Sequence, residues 1–199
     1  MRHEDLIYAP STEERRTKRL QAWETLIEAV RECRKCPLCN SRTQSVFGDG
    51  PIDTDLMFIG EAPGADEDAQ GKPFVGRAGQ LLNRILEAAG IARESIFITN
   101  VVKCRPPGNR LPNPDEVKEC AKWLEAQIRV IQPRMIVCLG SMASKTVIDP
   151  NAQISKIRGV WFSRQDVRIM ATFHPAALLR NEAYKRPTWE YFKQIRDQY

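Results

Sequence analysis

The sequence predicts an α/β fold, a three-layer α/β/α sandwich around a four-stranded, mostly parallel sheet. Four short apolar runs have the length and composition of buried strands, at residues 56–59, 96–102, 135–139 and 168–173. Segments in which apolar residues recur at helical spacing alternate with these runs. This alternation indicates a sheet with helices on both faces, and the four strands then send their carboxyl ends to one edge.

The helices are predicted from periodicity and from their end signals. The first is expected over residues 11–32. Its apolar face comprises Leu20, Trp23, Leu26, Ile27 and Val30. Others are expected at 78–89, at 114–131 and at 188–198, and a short strand at 159–162 is placed at an edge. We expect a single domain over residues 1–199, with residues 1–32 as an N-terminal helical extension.

Composition narrows the class of protein. Hydrophobic residues make up 42% of the chain and charged residues 28%, as in ordinary globular proteins. No apolar run approaches the length of a membrane span, and the N-terminus has no signal-peptide core, so we expect an intracellular, cytoplasmic protein. The net charge of +5 and the isoelectric point near 9.0 favour an anionic partner, of which nucleic acid is the commonest.

Four of the six cysteines have a pattern typical of metal ligation. Cys33 and Cys36 form a CxxC pair that can grip one metal from a tight turn. Cys104 ends a predicted strand, and Cys120 lies early in the next helix, so both could converge on that pair. By count, four thiolates suit an iron–sulfur cluster and a structural zinc ion equally, and unligated thiols are the third alternative.

The remaining two cysteines have different expectations. Cys138 lies inside an apolar strand and is predicted to be a core residue. Cys39 could replace Cys36 as a ligand, although the Cys36-Pro37 pair is more typical of cluster-binding loops.

The loop after the first strand is the strongest candidate for a ligand pocket. It reads GEAPGADEDAQGKPFVGRAG over residues 60–79. Glycines at its start let the backbone approach a ligand closely, and Phe74 is the single aromatic residue among small and rigid ones. In an open α/β sheet, ligands bind at the carboxyl ends of the strands. A long surface loop without function is the alternative interpretation.

Polar side chains follow three of the predicted strands. Glu61 follows the first strand, Asn100 lies at the end of the second, and His174 follows the fourth. The amide of Asn carries donors and an acceptor in one plane, which matches the edge of a nucleobase. A histidine can donate a hydrogen bond to an oxygen that gains charge. Structural roles for Asn100, as a turn cap, and for His174 are the alternatives.

Taken together, the motifs resemble one enzyme family. GEAPGxxED, GxPFVGxAGxLL, ITNVVKCRPPGNR and HPxxLLR stand in order, with CxxCPL upstream, and the match runs over about residues 33–196. This set is similar to the thermostable, iron–sulfur type of uracil-DNA glycosylase, called family four. The resemblance implies cleavage of the N-glycosidic bond of deoxyuridine in single- or double-stranded DNA by a monomer. It implies a [4Fe–4S] cluster held by Cys33, Cys36, Cys104 and Cys120.

The resemblance also implies roles for individual residues. Uracil contacts fall on Glu61, Ala62, Pro63, Phe74, Asn100 and His174. Phe74 would stack on the flipped base, and Asn100 would pair with O4 and N3–H. His174 and backbone N–H groups of the loop would donate to O2 as charge develops there. The predicted DNA contacts are Leu178 or Leu179 as a wedge, Arg180 at a phosphate, and Arg105 and Arg110 in the proline-rich segment.

Three departures from related glycosylases qualify these expectations. Ala62 stands where the best-known enzymes of this fold have an aspartate that activates water, so another group must orient the water. Glu67 is the first candidate for that role and Glu61 the second. Ala177 replaces a usual tyrosine, and residues 105–114 contain no histidine that could trap uracil covalently. A non-catalytic nucleic-acid binding module and a zinc-stabilised hydrolase of other specificity are the competing hypotheses.

Overall fold

The helices and strands of the protein follow the predicted alternation closely. The computed structural model describes residues 12–199. Within them the α-helices are α1 (Thr12–Arg31), α2 (Ala65–Gln70), α3 (Arg77–Ala89), α4 (Pro114–Ile131), α5 (Ser141–Val147), α6 (Ile154–Ile157), α7 (Pro175–Arg180) and α8 (Lys185–Arg196). The strands are β1 (Leu56–Gly60), β2 (Phe97–Asn100), β3 (Met135–Leu139), β4 (Trp161–Arg164) and β5 (Val167–Thr172). Single 3-10 turns cover Pro37–Asn40, Arg93–Ser95, Pro107–Asn109 and Glu182–Tyr184.

The strands form one mixed sheet in the order β2-β1-β3-β5-β4. The first four pair in parallel, and β4 pairs antiparallel with β5. The predicted α/β class is therefore confirmed, whereas the predicted count of four strands is wrong, because the edge strand is the fifth member of the sheet. A two-residue turn at Gln165 and Asp166 joins β4 to β5, and Gln165 has a φ of 55°. This turn lacks the glycine or asparagine that usually marks a hairpin in a sequence.

Hydrophobic cores lie on both faces of the sheet. Alternate residues of β1 point to opposite faces, as the period of a strand requires. Leu56 and Phe58 pack into the core formed with α3 and α8, while Met57 and Ile59 pack into the core formed with α1, α4 and α5. The sheet is thus the middle layer of three, and the carboxyl ends of β1, β2, β3 and β5 meet at one edge.

Helix α1 packs on α4 and contributes to the main core. Trp23, Leu26 and Val30 are buried, and Trp23 meets Phe97 of β2 edge to face at 5.3 Å between ring centroids. Leu20, although expected on the apolar face, is exposed. The predicted helix start at Ser11 lies outside the described residues. Among residues 12–199, no helix is both long and apolar enough to cross a membrane.

Candidate active site and cysteine pocket

The ends of β1 and β2 build the floor of the candidate active site. Gly60 is in register with Asn100, and the Val101 N–H donates to the Gly60 carbonyl at 2.9 Å. The space that a side chain on Gly60 would need is filled by the Asn100 amide and the Phe74 ring; an added Cβ would lie 2.6 Å from that ring. The absence of a side chain at Gly60 therefore lets an amide and an aromatic ring converge above the strand end.

Phe74 is held in an unusual backbone conformation by its loop. Its φ is 56°, in the left-handed region that non-glycine residues rarely adopt. The Glu67 carboxylate stabilises this loop by accepting hydrogen bonds from Val75 N–H (2.9 Å), Gly76 N–H (2.8 Å) and Gly64 N–H (3.1 Å). The ring of Phe74 is consequently fixed before any ligand binds.

The side chain of Asn100 is buried and incompletely bonded. Asn100 is 2% exposed, and its Oδ1 has no hydrogen-bond donor within the described residues. Buried acceptors without a partner are rare because they lose their hydration without compensation. This oxygen is therefore available to accept a hydrogen bond from a ligand.

His174 lies beside Phe74, with ring centroids 5.6 Å apart and ring planes tilted by 33°. Its Nδ1 accepts a hydrogen bond from Ala176 N–H at 3.1 Å, so the neutral ring carries its proton on Nε2. Desolvation of the ring, assisted by the positive charge of Arg180, lowers the pKa of His174 to about 4. At neutral pH this residue is therefore an uncharged donor. Gly140 lies in the turn after β3 with a φ of 91°, and a Cβ added to it would lie 2.9 Å from His174 Cβ. A glycine at this position therefore lets the turn pass close to His174.

The two candidate carboxylates of the loop have different surroundings. Within residues 12–199, the Glu61 carboxylate has no hydrogen-bond donor, whereas Glu67 accepts the three backbone bonds described above. Burial raises the pKa of Glu61, and the charge of Arg180 opposes that shift. Ala62 is half-buried and Pro63 is buried beside them.

The predicted DNA contacts lie on two segments at the same edge of the sheet. The first segment is helix α7. Leu178 is 1% exposed and Leu179 is 40% exposed, so only Leu179 is available to a partner in this conformation. Arg180 beside it is exposed.

The second segment is the proline-rich turn after β2. Arg105 donates to Asn109 Oδ1 at 2.8 Å. Arg110 makes two bonds to the Glu116 carboxylate, at 2.8 and 2.7 Å, and thereby lowers the pKa of that carboxyl. These bonds and the four prolines between residues 106 and 114 hold the segment in one shape.

The four predicted metal ligands line one pocket, although they come from distant parts of the chain. Cys33 and Cys36 follow α1, Cys104 follows β2, and Cys120 lies in α4. Cys39 lines the same pocket, while the sixth cysteine is a buried core residue of β3, as predicted. Over residues 12–199, no three cysteine, histidine or acidic side chains are arranged to hold a single metal ion.

Hydrogen-bond donors lie against the cysteine sulfur atoms of this pocket. Arg42 Nη1 donates to Cys104 Sγ at 2.9 Å, and the Lys103 backbone N–H donates to Cys120 Sγ at 3.3 Å. Trp123 also lines the pocket, and its indole N–H is buried without an acceptor among the described residues. Cationic and N–H donors of this kind surround the thiolates of iron–sulfur clusters, which carry negative charge.

Comparison with known proteins gives the family. The Uracil DNA glycosylase superfamily matches residues 47–195, which contain the five strands described above and also Phe74, Asn100 and His174. The chain belongs to this superfamily.

Curated type-4 uracil-DNA glycosylases cover most of the chain. The Thermotoga maritima enzyme is 46% identical over 169 residues, which are 83% of this chain and 87% of that protein. The Sulfurisphaera tokodaii enzyme is 42% identical over 187 residues, 89% and 85% of the two chains. A type-5 uracil-DNA glycosylase of Pyrobaculum aerophilum is 30% identical over 146 residues, 65% of this chain and 64% of that protein. The predicted membership of family four is confirmed.

Two features of this glycosylase were not anticipated from the sequence. Lys103 is fully buried beside Asn100, and Arg42 donates to a cysteine sulfur. In the sequence, Lys103 stands between an apolar strand and a cysteine, and that position is a signal of burial. The signal is easily missed because a lysine side chain is normally exposed. Arg42 lies in an irregular segment, where no periodicity shows the direction of a side chain.

Proposed function

We propose that the protein is a uracil-DNA glycosylase of base excision repair, which hydrolyses the N-glycosidic bond of deoxyuridine and leaves an abasic site in DNA. The observation that carries this proposal is the buried amide of Asn100 beside Gly60 and Phe74, whose Oδ1 lacks a donor among residues 12–199. Similarity to the type-4 uracil-DNA glycosylases over more than four fifths of the chain supports the same reaction.

The amide of Asn100 selects uracil by its hydrogen-bonding edge. Its Oδ1 accepts from uracil N3–H, and its Nδ2 donates to O4. Cytosine presents an amino group at position 4 and an unprotonated N3, so both bonds would be mismatched. A base in the duplex stack cannot reach this pocket, so the nucleotide must be flipped, and the fixed ring of Phe74 then stacks on it.

The bond breaks by departure of uracil as an anion. Both electrons of the C1′–N1 bond go to the base, and an oxocarbenium-like sugar is left. Nε2–H of neutral His174 donates to uracil O2, where negative charge grows. Backbone N–H groups of the loop after β1 are a second source of donors to that oxygen. Water then adds its oxygen to C1′ and gives up a proton.

We assign the orientation of that water to Glu61 before Glu67. Glu67 is occupied by three backbone donors, whereas the half-buried Glu61 has no donor in the described part of the chain and lies near the charge of Arg180. Its carboxylate can accept the proton of the attacking water and stabilise the cationic sugar. Ala62 and Pro63 then contribute shape and backbone to the pocket wall.

The DNA backbone is held beside the pocket. Leu179 enters the gap that the flipped nucleotide leaves, and Arg180 contacts a phosphate. Arg105 and Arg110 add positive charge on the rigid proline-rich turn, although the bonds of Arg110 to Glu116 limit its reach. The net charge of +5 favours DNA binding in single- or double-stranded form.

Cys33, Cys36, Cys104 and Cys120 would hold a [4Fe–4S] cluster. These four cysteines line one pocket, and the Arg42 guanidinium and the Lys103 backbone N–H donate to two of their sulfur atoms. Such donors would suit the negative charge of thiolates that hold a cluster. A bound cluster would cross-link distant segments of the chain, whereas the residues of the base pocket would carry out the excision chemistry.

The proposal is tested with an oligonucleotide that contains one uracil. After incubation with the protein and then hot alkali, the strand should break at the uracil. Asn100→Ala and His174→Ala should each lower the rate by about 100-fold or more while the protein stays folded. A folded, iron-loaded protein that binds the oligonucleotide without releasing uracil would instead support the binding-module hypothesis.

A further inference from the structure

The side chain of Lys103 takes no part in the chemistry above, yet it lies between the cysteine pocket and the base pocket. Lys103 is 1% exposed. Its ammonium donates to Thr99 Oγ1 at 2.7 Å, to the Asn100 carbonyl at 2.6 Å and to Gln127 Oε1 at 2.6 Å. A lysine has three N–H donors, so all of them are used. The structure therefore provides a complete set of acceptors for a charge that is costly to bury.

The backbone of Lys103 is fixed on the side of the cysteine pocket. Its N–H donates to Cys120 Sγ at 3.3 Å, and its carbonyl accepts from Val46 N–H at 2.7 Å. The next residue in the chain is Cys104. One residue thus contacts a cysteine sulfur through its main chain and the base-binding strand through its side chain.

The acceptors of the ammonium are themselves held by a second set of bonds. Thr99 Oγ1 donates to the Phe47 carbonyl at 2.8 Å, and Gln127 Nε2 donates to the same carbonyl at 2.8 Å. Thr99 and Gln127 are both fully buried. This network joins β2 to α4 behind the base pocket, so a displacement of Lys103 would leave several buried polar groups unpaired.

Asn100 is bonded to this network through its main-chain carbonyl. It is the last residue of β2, and its Oδ1 has no donor within the described part of the protein. The peptide that follows it is fixed on one side by the bond from Val101 N–H to the Gly60 carbonyl and on the other by the Lys103 ammonium. The orientation of that peptide sets the direction of the Cα–Cβ bond from which the Asn100 amide extends.

We propose that Lys103 is a positioning residue, which holds Asn100 in the geometry for base recognition and connects that geometry to the cysteine pocket. Lys103 itself touches neither the base nor the reacting atoms. Replacing a lysine with a purely structural role would lower the reaction rate by the same factor with or without the Asn100 amide. Replacing a positioning lysine would lower the rate only when the Asn100 amide is present.

A double-mutant cycle separates these roles, and it rests on the proposed function. Uracil release by the wild type is measured first, since its absence would contradict that function and not the role of Lys103. Lys103→Met should lower the single-turnover rate by about 10- to 100-fold, as misplacement of a binding group does. In an Asn100→Ala background the same substitution should change the rate by less than about twofold, because the group it positions is absent.

Gln127→Met is the matched control. It removes buried hydrogen bonds from the same network but leaves the bond between Lys103 and the Asn100 carbonyl in place. We expect a drop in thermal midpoint similar to that of Lys103→Met, with a much smaller loss of rate. Iron content and absorbance near 400 nm are measured for every variant, so that a loss of cluster is separated from a loss of positioning.

Two outcomes would overturn the proposal. One is that Lys103→Met lowers the rate by the same factor in the presence and in the absence of the Asn100 amide. The other is equal loss of rate in Lys103→Met and Gln127→Met at equal stability. Should Lys103→Met fail to fold, Lys103→Gln carries the same cycle; failure of both to fold would make the lysine structural and reject a positioning role.

Discussion

The chemistry of single residues in this site depends on a histidine that stays neutral. Nδ1 of His174 is occupied by Ala176 N–H, and the ring packs beside Phe74. A charged imidazolium would need a proton on Nδ1 and would lose the bond from Ala176. In the proposed mechanism, the uncharged Nε2–H is therefore the donor toward the departing uracil anion, and no general acid is needed to protonate the base.

The neutral form of His174 predicts the pH dependence of excision. Its pKa lies at about 4 instead of the ordinary 6.5, chiefly because the ring is desolvated. We expect the titration of His174 to leave the single-turnover rate unchanged down to about pH 5 and to lower it as the pH approaches that pKa. The pH profile of Glu61→Gln is measured beside that of the wild type, because protonation of Glu61, whose pKa is raised by burial, would also lower the rate. A rate that halves close to the ordinary histidine pKa would contradict this assignment.

The same shift predicts a loss of stability in acid. Between pH 6.5 and about pH 4, the unfolded chain binds a proton at His174 that the folded chain does not bind. The free energy of unfolding should therefore fall as the pH is lowered through this range. The thermal midpoint of the wild type should fall relative to that of His174→Gln as the pH is lowered through this range; a constant difference would contradict the linkage.

At the scale of elements, the loop between β1 and α3 carries two carboxylates, Glu61 and Glu67, whose surroundings differ. Glu67 binds the backbone of the loop that carries Phe74, and Glu61 has no such bonds within the described residues. We expect Glu61→Gln to lower the excision rate with little change in thermal midpoint. Glu67→Ala should lower both, because it releases three backbone donors. A stable Glu67→Ala protein with normal uracil affinity would contradict the loop-organising role.

Helix α7 offers a matched pair of leucines. Leu178 is buried and Leu179 is exposed. Leu178→Ala should destabilise the protein by about 2–5 kcal/mol, the usual cost of truncating a buried leucine. Leu179→Ala should leave stability unchanged and reduce excision more from duplex than from single-stranded DNA, because only a duplex has a stack to open. Chemical denaturation and paired excision assays measure the two effects, and an equal fold-loss of rate on both substrates would exclude Leu179 as a wedge.

At the scale of the whole molecule, the cysteine pocket joins parts of the chain that are otherwise distant. The segment after α1, the end of β2 and helix α4 each contribute cysteines. A bound cluster should therefore raise the stability of the fold by linking them. We expect brown protein with absorbance near 400 nm, and a lower thermal midpoint after oxidative removal of iron. Colourless protein that contains zinc would contradict the cluster.

The sequence by itself determined the alternation of strands and helices, the family motifs and most of the residues around the pocket. These follow from local physics: an apolar run of strand length, a proline at a helix start and a glycine at a helix end report on their own neighbours. The turn at Gln165 and Asp166 lacks such a local signal, and so the fifth strand of the sheet was placed at an edge without being counted in it.

Only the tertiary structure decided which polar groups are free to act. Glu61 and Glu67 lie in one acidic loop, yet backbone donors from residues 64, 75 and 76 occupy one of them. The burial of Lys103 and the missing donor at Asn100 Oδ1 likewise depend on segments far apart in the chain. Hydrogen-bond satisfaction is a property of three-dimensional neighbours, so residue type and spacing alone do not reveal it.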